Sequence, residues 1–251
     1  MTSEPLRTGD GSFTLRHPVV GEAYHSLDGA FSEARNKFLI PSRLSERRSL
    51  GPVRLLDVGF GLGVNCRCAL ESPGSFPLHI DSLENDPQAL DRALQLAPED
   101  PLLLSLQTSG AYRQGQNQVN LHPGDMRVVI QNLPGPYDLI FHDPFSPMRN
   151  SECWTVELFR EFFLRLSPDG ALLTYSQSKI VRAALQAAGF QVQDTPPLPP
   201  HRGGTIAVKQ GAGIEPLSVI PFRDPELNAS GHEIRSRREA AQRAAGKPET
   251  E

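Results

Sequence analysis

Three acidic residues, Glu84, Asp125 and Asp143, each stand at or just after the end of a predicted strand. Their carboxylates could accept hydrogen bonds from sugar hydroxyls, or orient an amine and take up its proton. An alkyl amine has an ordinary pKa of about 10, so at neutral pH it is mostly protonated and has no free lone pair for attack. We therefore expect these acids to carry the binding and proton chemistry of the protein.

A glycine-rich turn lies upstream of the three acids, at residues 57–65 (DVGFGLGVN). The apolar run before it indicates a buried strand and the residues after it a helix, a combination that binds nucleotide-like ligands in α/β proteins. The spacing G-x-G-x-G differs from the dinucleotide fingerprint G-x-G-x-x-G, and the Lys-Ser/Thr pair of a phosphate-binding loop does not follow. Asp57 would repel phosphates and suit a cationic or hydroxyl-rich ligand.

Alternating strand and helix patterns from residue 53 onward would position these residues. The predicted strands are 53–58, 78–83, 119–122, 137–142 and 171–175, and the predicted helices are one from the glycine turn to 71, then 86–96 with Asp86 as N-cap, 126–133, 156–166 and 178–188. Residues 97–118 show no clear pattern, 167–170 indicate a loop, and 190–192 with 205–208 are predicted to close the sheet as an antiparallel pair. The alternation predicts an α/β fold with a doubly wound, mostly parallel sheet. Its carboxyl edge would bring the turn and the acids together.

The same patterns divide the chain into three parts. Residues 1–50 are predicted to be an N-terminal extension of short strands and a helix that packs on the ligand site, 51–210 the α/β domain, and 211–251 a tail with a basic helix. The basic residues of that helix are Arg235, Arg237, Arg238, Arg243 and Lys247. Such a helix could contact RNA phosphates, or it could be a solvated helix face.

Composition limits the classes of function. The 251 residues carry a formal net charge of -4, so any nucleic-acid contact requires a local basic patch. Cys66, Cys68 and Cys153 form neither an even disulfide framework nor a C-x-x-C pair, so we expect a reducing compartment and no metal. Residues 1–20 have no signal-peptide core, and no apolar run approaches the ~20 residues of a membrane span. We therefore expect a cytoplasmic protein.

The pattern D-x-G-x-G-x-G at residues 57–63 resembles the first motif of class I S-adenosylmethionine-dependent methyltransferases. That cofactor has a sulfonium, an ammonium and a ribose, and no phosphate. The resemblance implies the Rossmann-like class I fold and S-adenosylmethionine as cofactor. The implied cofactor-binding residues are Asp57, Gly59, Gly61, Gly63, Asn65, Glu84 and Asp125.

A longer pattern is more specific. Residues 141–159 (FHDPFSPMRNSECWTVELF) resemble the methyltransferase part of MnmC-type tRNA-modification enzymes, whose pattern is close to F-L-D-x-F-A-P-x-x-N-P-x-x-W-T-x-x-L-F. The blocks at 24–39 and 174–190 and the glycine turn match the same family, so that the resemblance spans roughly residues 24–208. Pro144 stands where the family usually has glycine.

This resemblance implies methylation of the 5-aminomethyl group of a wobble uridine or 2-thiouridine in tRNA. Asp143 is the implied catalytic carboxylate. The predicted substrate-binding residues are Pro144, Phe145, Trp154, Arg182 and Arg202. For Trp154, packing beneath the Asp143 loop is the favoured alternative to substrate contact. Bifunctional family members add a flavin oxidase domain, whereas this chain resembles the standalone methyltransferases. A separate flavin oxidase or another enzyme would then supply the amine.

Two alternatives to this function stay open. The protein could methylate another amine, in a small molecule or a nucleobase, or it could be a non-catalytic adaptor that retains the fold. An NAD-dependent oxidoreductase is disfavoured by the glycine spacing. Side-chain alternation places His142 on the opposite side of its strand from Asp143, which favours a place in the core over a role as base.

Overall fold

The central strand of the protein forms because its apolar run is buried on both faces of a sheet, as is usual for parallel strands. A computed structural model describes residues 4–198 and 202–246. The strands in chain order are β1 (Leu6–Arg7), β2 (Phe13–Thr14), β3 (Val53–Val58), β4 (Leu78–Glu84), β5 (Ala111–Gln114), β6 (Asn117–Pro123), β7 (Tyr137–His142), β8 (Leu166–Thr174), β9 (Gln191–Asp194) and β10 (Thr205–Val208). The helices are α1 (Ala30–Ala34), which continues through a π-helical turn (Arg35–Leu39) into α2 (Ile40–Ser42), then α3 (Leu44–Leu50), α4 (Val64–Glu71), α5 (Ala89–Leu96), α6 (Pro101–Ser109), α7 (Met126–Asn132), a 3-10 turn (Ser151–Trp154), α8 (Val156–Arg165), α9 (Lys179–Ala187) and α10 (Gly231–Ala244).

The main sheet has the strand order β5-β6-β4-β3-β7-β8-β10-β9. Strands β6, β4, β3, β7 and β8 run parallel, whereas β5 is antiparallel to β6 and β10 is antiparallel to both of its neighbours. The predicted doubly wound, mostly parallel sheet is therefore confirmed. The strand order reverses between β3 and β7, and sheets of this kind bind ligands outside the carboxyl ends of the strands at that reversal.

Two apolar layers cover the sheet, one on each face. Leu56 and Val58 of β3 pack with Trp154 and helix α8 on one face. Leu55, on the alternate side of the same strand, packs with Phe38 and the N-terminal helices on the other. Successive side chains of a strand point to opposite faces, so each strand contributes to both layers.

Most element boundaries after residue 50 match the sequence prediction, and three regions there differ. Helix α5 begins at Ala89 with Gln88 as N-cap, because the Asp86 carboxylate accepts from the Gln88 amide at 2.9 Å and also pairs with Arg92. Within 97–118 the chain forms α6 and β5. Strand β8 begins at Leu166, and the predicted loop at 167–170 is an irregularity in its pairing with β7.

The two ends of the chain pack onto the sheet. Strands β1 and β2 pair, and the residues that follow them lie over the carboxyl edge of the main sheet. The tail packs on the opposite layer through Phe222, whose carbonyl accepts from the Val156 amide at 3.1 Å, and through buried Ile234 of α10. His201 and Lys247 lie outside the described residues. Among the helices in the described part of the chain, none is both long and apolar enough to cross a membrane.

Candidate active site

A cavity of about 610 Å³ opens at the carboxyl ends of β3, β4, β6 and β7. It lies at the point where the strand order reverses, as expected for this kind of sheet. Eight residues proposed from the sequence line it: Gly59, Gly61, Asn65, Glu84, Asp125, Asp143, Pro144 and Phe145.

The glycine turn forms the floor of the cavity and is held from three sides. Gly59 has a φ of 92°, and a Cβ there would lie 3.0 Å from the backbone oxygen of Asp143. Only glycine therefore allows β3 and β7 to approach so closely at this point. The Gly61 amide donates to the Glu84 carboxylate at 2.8 Å, and a Cβ on Gly61 would lie 3.2 Å from the Tyr24 ring.

Glu84 ends β4 and holds two backbone amides with its carboxylate, that of Gly61 and, at 2.7 Å, that of Asp86. Burial raises the pKa of Glu84, although these amides favour the charged form. A carboxylate has about four acceptor positions, so Glu84 retains capacity for ligand hydroxyls.

Asp143 immediately follows β7, and its amide donates to the Val58 carbonyl at 2.9 Å. Its carboxylate accepts from the Asn65 side chain at 2.8 Å. Burial, and then the negative charge of Glu33, raise the pKa of Asp143 well above its ordinary value against the effect of that hydrogen bond. The carboxyl group is therefore a stronger proton acceptor than an exposed aspartate.

An aromatic group lies beside Asp143. The Phe145 ring is 5.2 Å from the ring of Tyr24 and 5.2 Å from that of His17, in tilted and edge-on arrangements. Since Phe145 follows Asp143 in the same loop, this wall can accept a flat, apolar part of a substrate.

A buried side chain and a half-buried one support the Asp143 loop. The Trp154 indole donates to the Phe145 carbonyl at 3.0 Å, and the Tyr175 hydroxyl donates to the Pro144 carbonyl at 3.0 Å. Trp154 is fully buried and outside the cavity lining, which corrects its assignment as a substrate-contacting residue. His142 packs against the same indole at 4.7 Å, and burial lowers its pKa to about 3, so it is a neutral core residue.

Four more of the proposed residues lie outside the cavity lining. Asp57 is buried behind the glycine turn, where it accepts from Ser82 Oγ at 2.6 Å. Gly63 packs against Phe60, whose ring would be 2.8 Å from a Cβ at that position.

The other two are arginines. Arg182 is used within the fold, because it donates to Thr205 at 3.0 Å and pairs with Asp194 at the far side of β10. Arg202 is exposed, and its carbonyl accepts from Lys37. Neither is among the cavity-lining residues.

Several lining residues were not predicted from the sequence: Glu22, Tyr24, Glu33, Arg127 and Tyr175. Glu22, Tyr24 and Glu33 come from the N-terminal extension. The sequence predicts that this extension packs on the ligand site but does not indicate which of its residues face the cavity. Arg127 follows Asp125 in α7, and no sequence signal separates it from an ordinary surface arginine of a helix.

The charges of the cavity wall suit the cofactor implied by the glycine turn. Carboxylates dominate the wall: Glu22, Glu33, Glu84, Asp86, Asp125, Asp143 and Glu152. A sulfonium and an ammonium are attracted by such a wall, whereas a pyrophosphate would be repelled. The residues present therefore fit S-adenosylmethionine.

Comparison with known proteins agrees with this chemistry. A family described as S-adenosyl-L-methionine-dependent methyltransferase matches residues 91–210. The chain is 33% identical over 236 residues to the tRNA 5-methylaminomethyl-2-thiouridine biosynthesis bifunctional protein MnmC of Ectopseudomonas mendocina, covering 85% of this chain and 36% of that protein. It is 28% identical over 255 residues to an uncharacterized protein of Methanocaldococcus jannaschii, covering 93% of this chain and 71% of that one.

The crystal structure of MnmC2 from Aquifex aeolicus matches with a TM-score of 0.75 at 30% identity, covering 92% of this chain and 82% of that chain. The chain spans about a third of the length of the bifunctional MnmC relatives. S-adenosylmethionine is its cofactor, and the fold is that of the class I methyltransferases. Because this solved relative is 30% identical and is matched over 92% of this chain and 82% of its own, the chain belongs to the MnmC-type family of S-adenosylmethionine-dependent methyltransferases.

Proposed function

We propose that this methyltransferase converts the 5-aminomethyl group of a wobble uridine or 2-thiouridine in tRNA to the methylaminomethyl form. The curated MnmC relatives are named for the biosynthesis of that nucleoside. The observation that carries the proposal is the position of Asp143. Its carboxylate lies in the wall of the cofactor cavity, hydrogen-bonded to Asn65 and next to the aromatic group around Phe145.

The chemistry requires the amine to lose a proton as its nitrogen becomes a nucleophile. S-adenosylmethionine, when bound, would supply an electrophilic methyl group to the amine nitrogen, with the thioether as the leaving group. Asp143 orients the amine and takes its proton, which then passes to solvent. Burial and Glu33 both raise the pKa of Asp143 and so bring it closer to that of an amine.

The other cavity residues divide between cofactor and substrate. In this proposal the glycine turn, Asn65, Glu84 and Asp125 hold the cofactor, and Pro144 and Phe145 contact the substrate. Much of the rate acceleration would come from holding nitrogen, methyl and sulfur in line. Another enzyme, such as a flavin oxidase, would supply the aminomethyl group.

The test is methyl transfer by the purified protein from labelled S-adenosylmethionine to tRNA that carries the 5-aminomethyl group. We expect Asp143→Asn to lower kcat by about 100-fold or more, since general-base contributions are of that order. Its affinity for the cofactor should change little, because the amide keeps the shape of the side chain. Asp169→Asn, which neutralises an exposed acid of β8 outside the cavity lining, is the matched control and should keep full activity.

The alternatives predict different results. Methyl transfer that survives ribonuclease treatment of the substrate pool would point to another amine. Cofactor binding without transfer to any tRNA would refute the proposed substrate. Failure to bind S-adenosylmethionine by calorimetry would indicate a non-catalytic adaptor.

A further inference from the structure

Arg127 is a cavity-lining cation whose guanidinium contacts two acids from distant parts of the chain. Its Nε and Nη2 donate to the Asp125 carboxylate at 3.0 and 2.6 Å. Its Nη1 donates to Asp224 at 3.0 Å and to the Ala229 carbonyl at 2.7 Å. Every nitrogen of the guanidinium is therefore engaged, and the planar fork fixes the two carboxylates relative to each other.

Asp224 is a buried anchor for this arrangement. Its side chain is 0% exposed, and it also accepts from the Ala229 amide at 3.1 Å. Its own amide donates to Glu157 of α8 at 2.7 Å, so the position of Asp224 is set by the body of the protein. A buried carboxylate persists only when it is paired and hydrogen-bonded, and Arg127 provides the pairing charge.

Asp125 is the carboxylate that Arg127 holds at the cavity wall. It follows β6, caps helix α7 through the Arg127 amide at 2.9 Å, and keeps a side-chain exposure of 34%. Burial raises the pKa of Asp125, but the hydrogen bonds and charge of Arg127 outweigh burial and hold the pKa below its ordinary value. The carboxylate thus stays charged and fixed in orientation at the cavity wall.

We propose that Arg127 and Asp224 are positioning residues for the cofactor, which hold the Asp125 carboxylate in the orientation that S-adenosylmethionine requires. The tail from Asp224 to α10 is then a working part of the cofactor site, although its own contacts lie behind the cavity wall. This inference rests on the proposed role of Asp125 in binding the cofactor. It needs no assumption about the methyl acceptor.

The experiment measures the dissociation constant for S-adenosylmethionine by calorimetry, with the full chain, without RNA, and well below the melting temperature of each variant. We expect Asp224→Asn to weaken binding about tenfold, within the range of coupling energies for residues that share one ionic network. Asp125→Asn should weaken binding at least as much. In the Asp125→Asn background, Asp224→Asn should have no further effect, because it acts through Asp125.

Arg223→Gln is the matched control. Arg223 precedes Asp224 and pairs with Glu157 at 2.5 Å on the exposed side of the tail, without contacting Arg127. Its removal should leave the dissociation constant within about twofold.

A purely structural network would give another result: Asp224→Asn would lower the melting temperature and leave the dissociation constant unchanged. Additive effects in the double variant, or an unchanged constant in Asp125→Asn, would equally overturn the proposal. Should Asp224→Asn not fold, Arg127→Lys is judged by the same criteria, since lysine keeps the charge and lacks the fork. A normal dissociation constant in Arg127→Lys would refute the role of the fork.

Discussion

Asp57 connects the glycine turn to the sheet by a buried carboxylate whose charge depends on pH. The side chain accepts from Ser82 and from Cys66 and is 1% exposed. Burial raises its pKa from 3.8 to about 6, and those hydrogen bonds only partly offset the shift. In the folded protein Asp57 therefore binds a proton as the pH falls through about 6. In the unfolded chain it binds that proton only near pH 3.8. The stabilising contribution of Asp57 is fully present at low pH and is lost as the pH rises through 6.

We expect Asp57→Asn to remove the part of the free energy of unfolding that rises on acidification because of this group. Between about pH 4 and 6 the wild type gains about 1.4 kcal/mol per pH unit from this group on acidification, and the variant gains none. His142 opposes this trend in both proteins, because burial lowers its pKa to about 3 and favours its neutral form. Urea unfolding at several pH values measures the difference between the two proteins. Equal slopes would mean that Asp57 titrates in the folded protein as it does in a peptide.

The acids at the strand ends were predictable from sequence, and their partners were not. Glu84 and Asp143 stand at fixed places after apolar runs, so the sheet geometry brings them to one edge. Arg127 meets Asp224 across 97 residues of sequence, and its role depends on how the tail packs. For Trp154 the sequence left both packing beneath the Asp143 loop and substrate contact open, because motif position does not reveal burial; the structure shows the packing.

Among the elements, the segment that follows β2 (residues 17–26) lies over the cavity and contacts two parts of its wall. Beside the end of β4, His17 contacts Asp86 at 3.1 Å, and its ring also packs against Phe145 of the Asp143 loop. At the Asp143 loop, the Glu22 carboxylate accepts from the Ser146 amide at 3.0 Å and from its hydroxyl at 2.5 Å. The segment therefore holds the loop that carries Asp143 as well as the residues that follow β4.

Glu22→Ala should separate these two effects. Without the carboxylate, the Ser146 end of the loop loses both hydrogen bonds, and we expect the KM for the amine substrate to rise about tenfold. The dissociation constant for S-adenosylmethionine should stay within about twofold, since the His17 contact remains. Steady-state kinetics and calorimetry measure the two quantities. Asp28→Ala, at an exposed acid just after this segment, serves as the control. Equal losses of both affinities would contradict the assignment of Glu22 to the loop.

Element boundaries were predicted best where strands are buried on both faces. β3 and β7 have the predicted ends because continuous apolar runs have clear limits. Helix α6 was missed because its leucine-rich sequence lacks a clear helical period. Its boundaries were nevertheless encoded, since Asp100 caps its first amides and Gly110 ends it with a φ of 71°.

For the whole molecule, the overall charge disfavours nonspecific binding of RNA. The net charge is -4 and the cavity wall is acidic, so RNA contacts require local cations. On α10, Arg235 and Arg238 donate to Ser151 at 3.0 Å and to the Ile220 carbonyl at 2.8 Å. Arg237 and Arg243 are exposed. The basic helix is thus attached by two arginines and presents two others to solvent.

If these two arginines contact tRNA phosphates, Arg237→Gln/Arg243→Gln should weaken tRNA binding and make it less dependent on salt. The slope of log K against log salt concentration should fall by about 2, because each phosphate contact contributes about 0.9. Fluorescence anisotropy with labelled tRNA at several salt concentrations measures this slope. Arg7→Gln/Arg113→Gln removes the same charge from exposed positions on β1 and β5 and is the control. A slope equal to that of the wild type would mean that these arginines of α10 are solvated and do not contact tRNA.

Strand β10 lies between β8 and β9 although it comes after both in the chain. Among the described strands, β9 pairs with β10 and with no other, so β9 cannot join the main sheet before residues 205–208 do. During synthesis the backbone amides along β8 therefore stay unpaired on that side until the ribosome has passed Val208. The order in which strands are made differs from the order in which they pair. The nascent chain thus passes through an interval in which the apolar strand β8 has an unpaired edge. That edge can pair with other chains until β10 has been made and covers it.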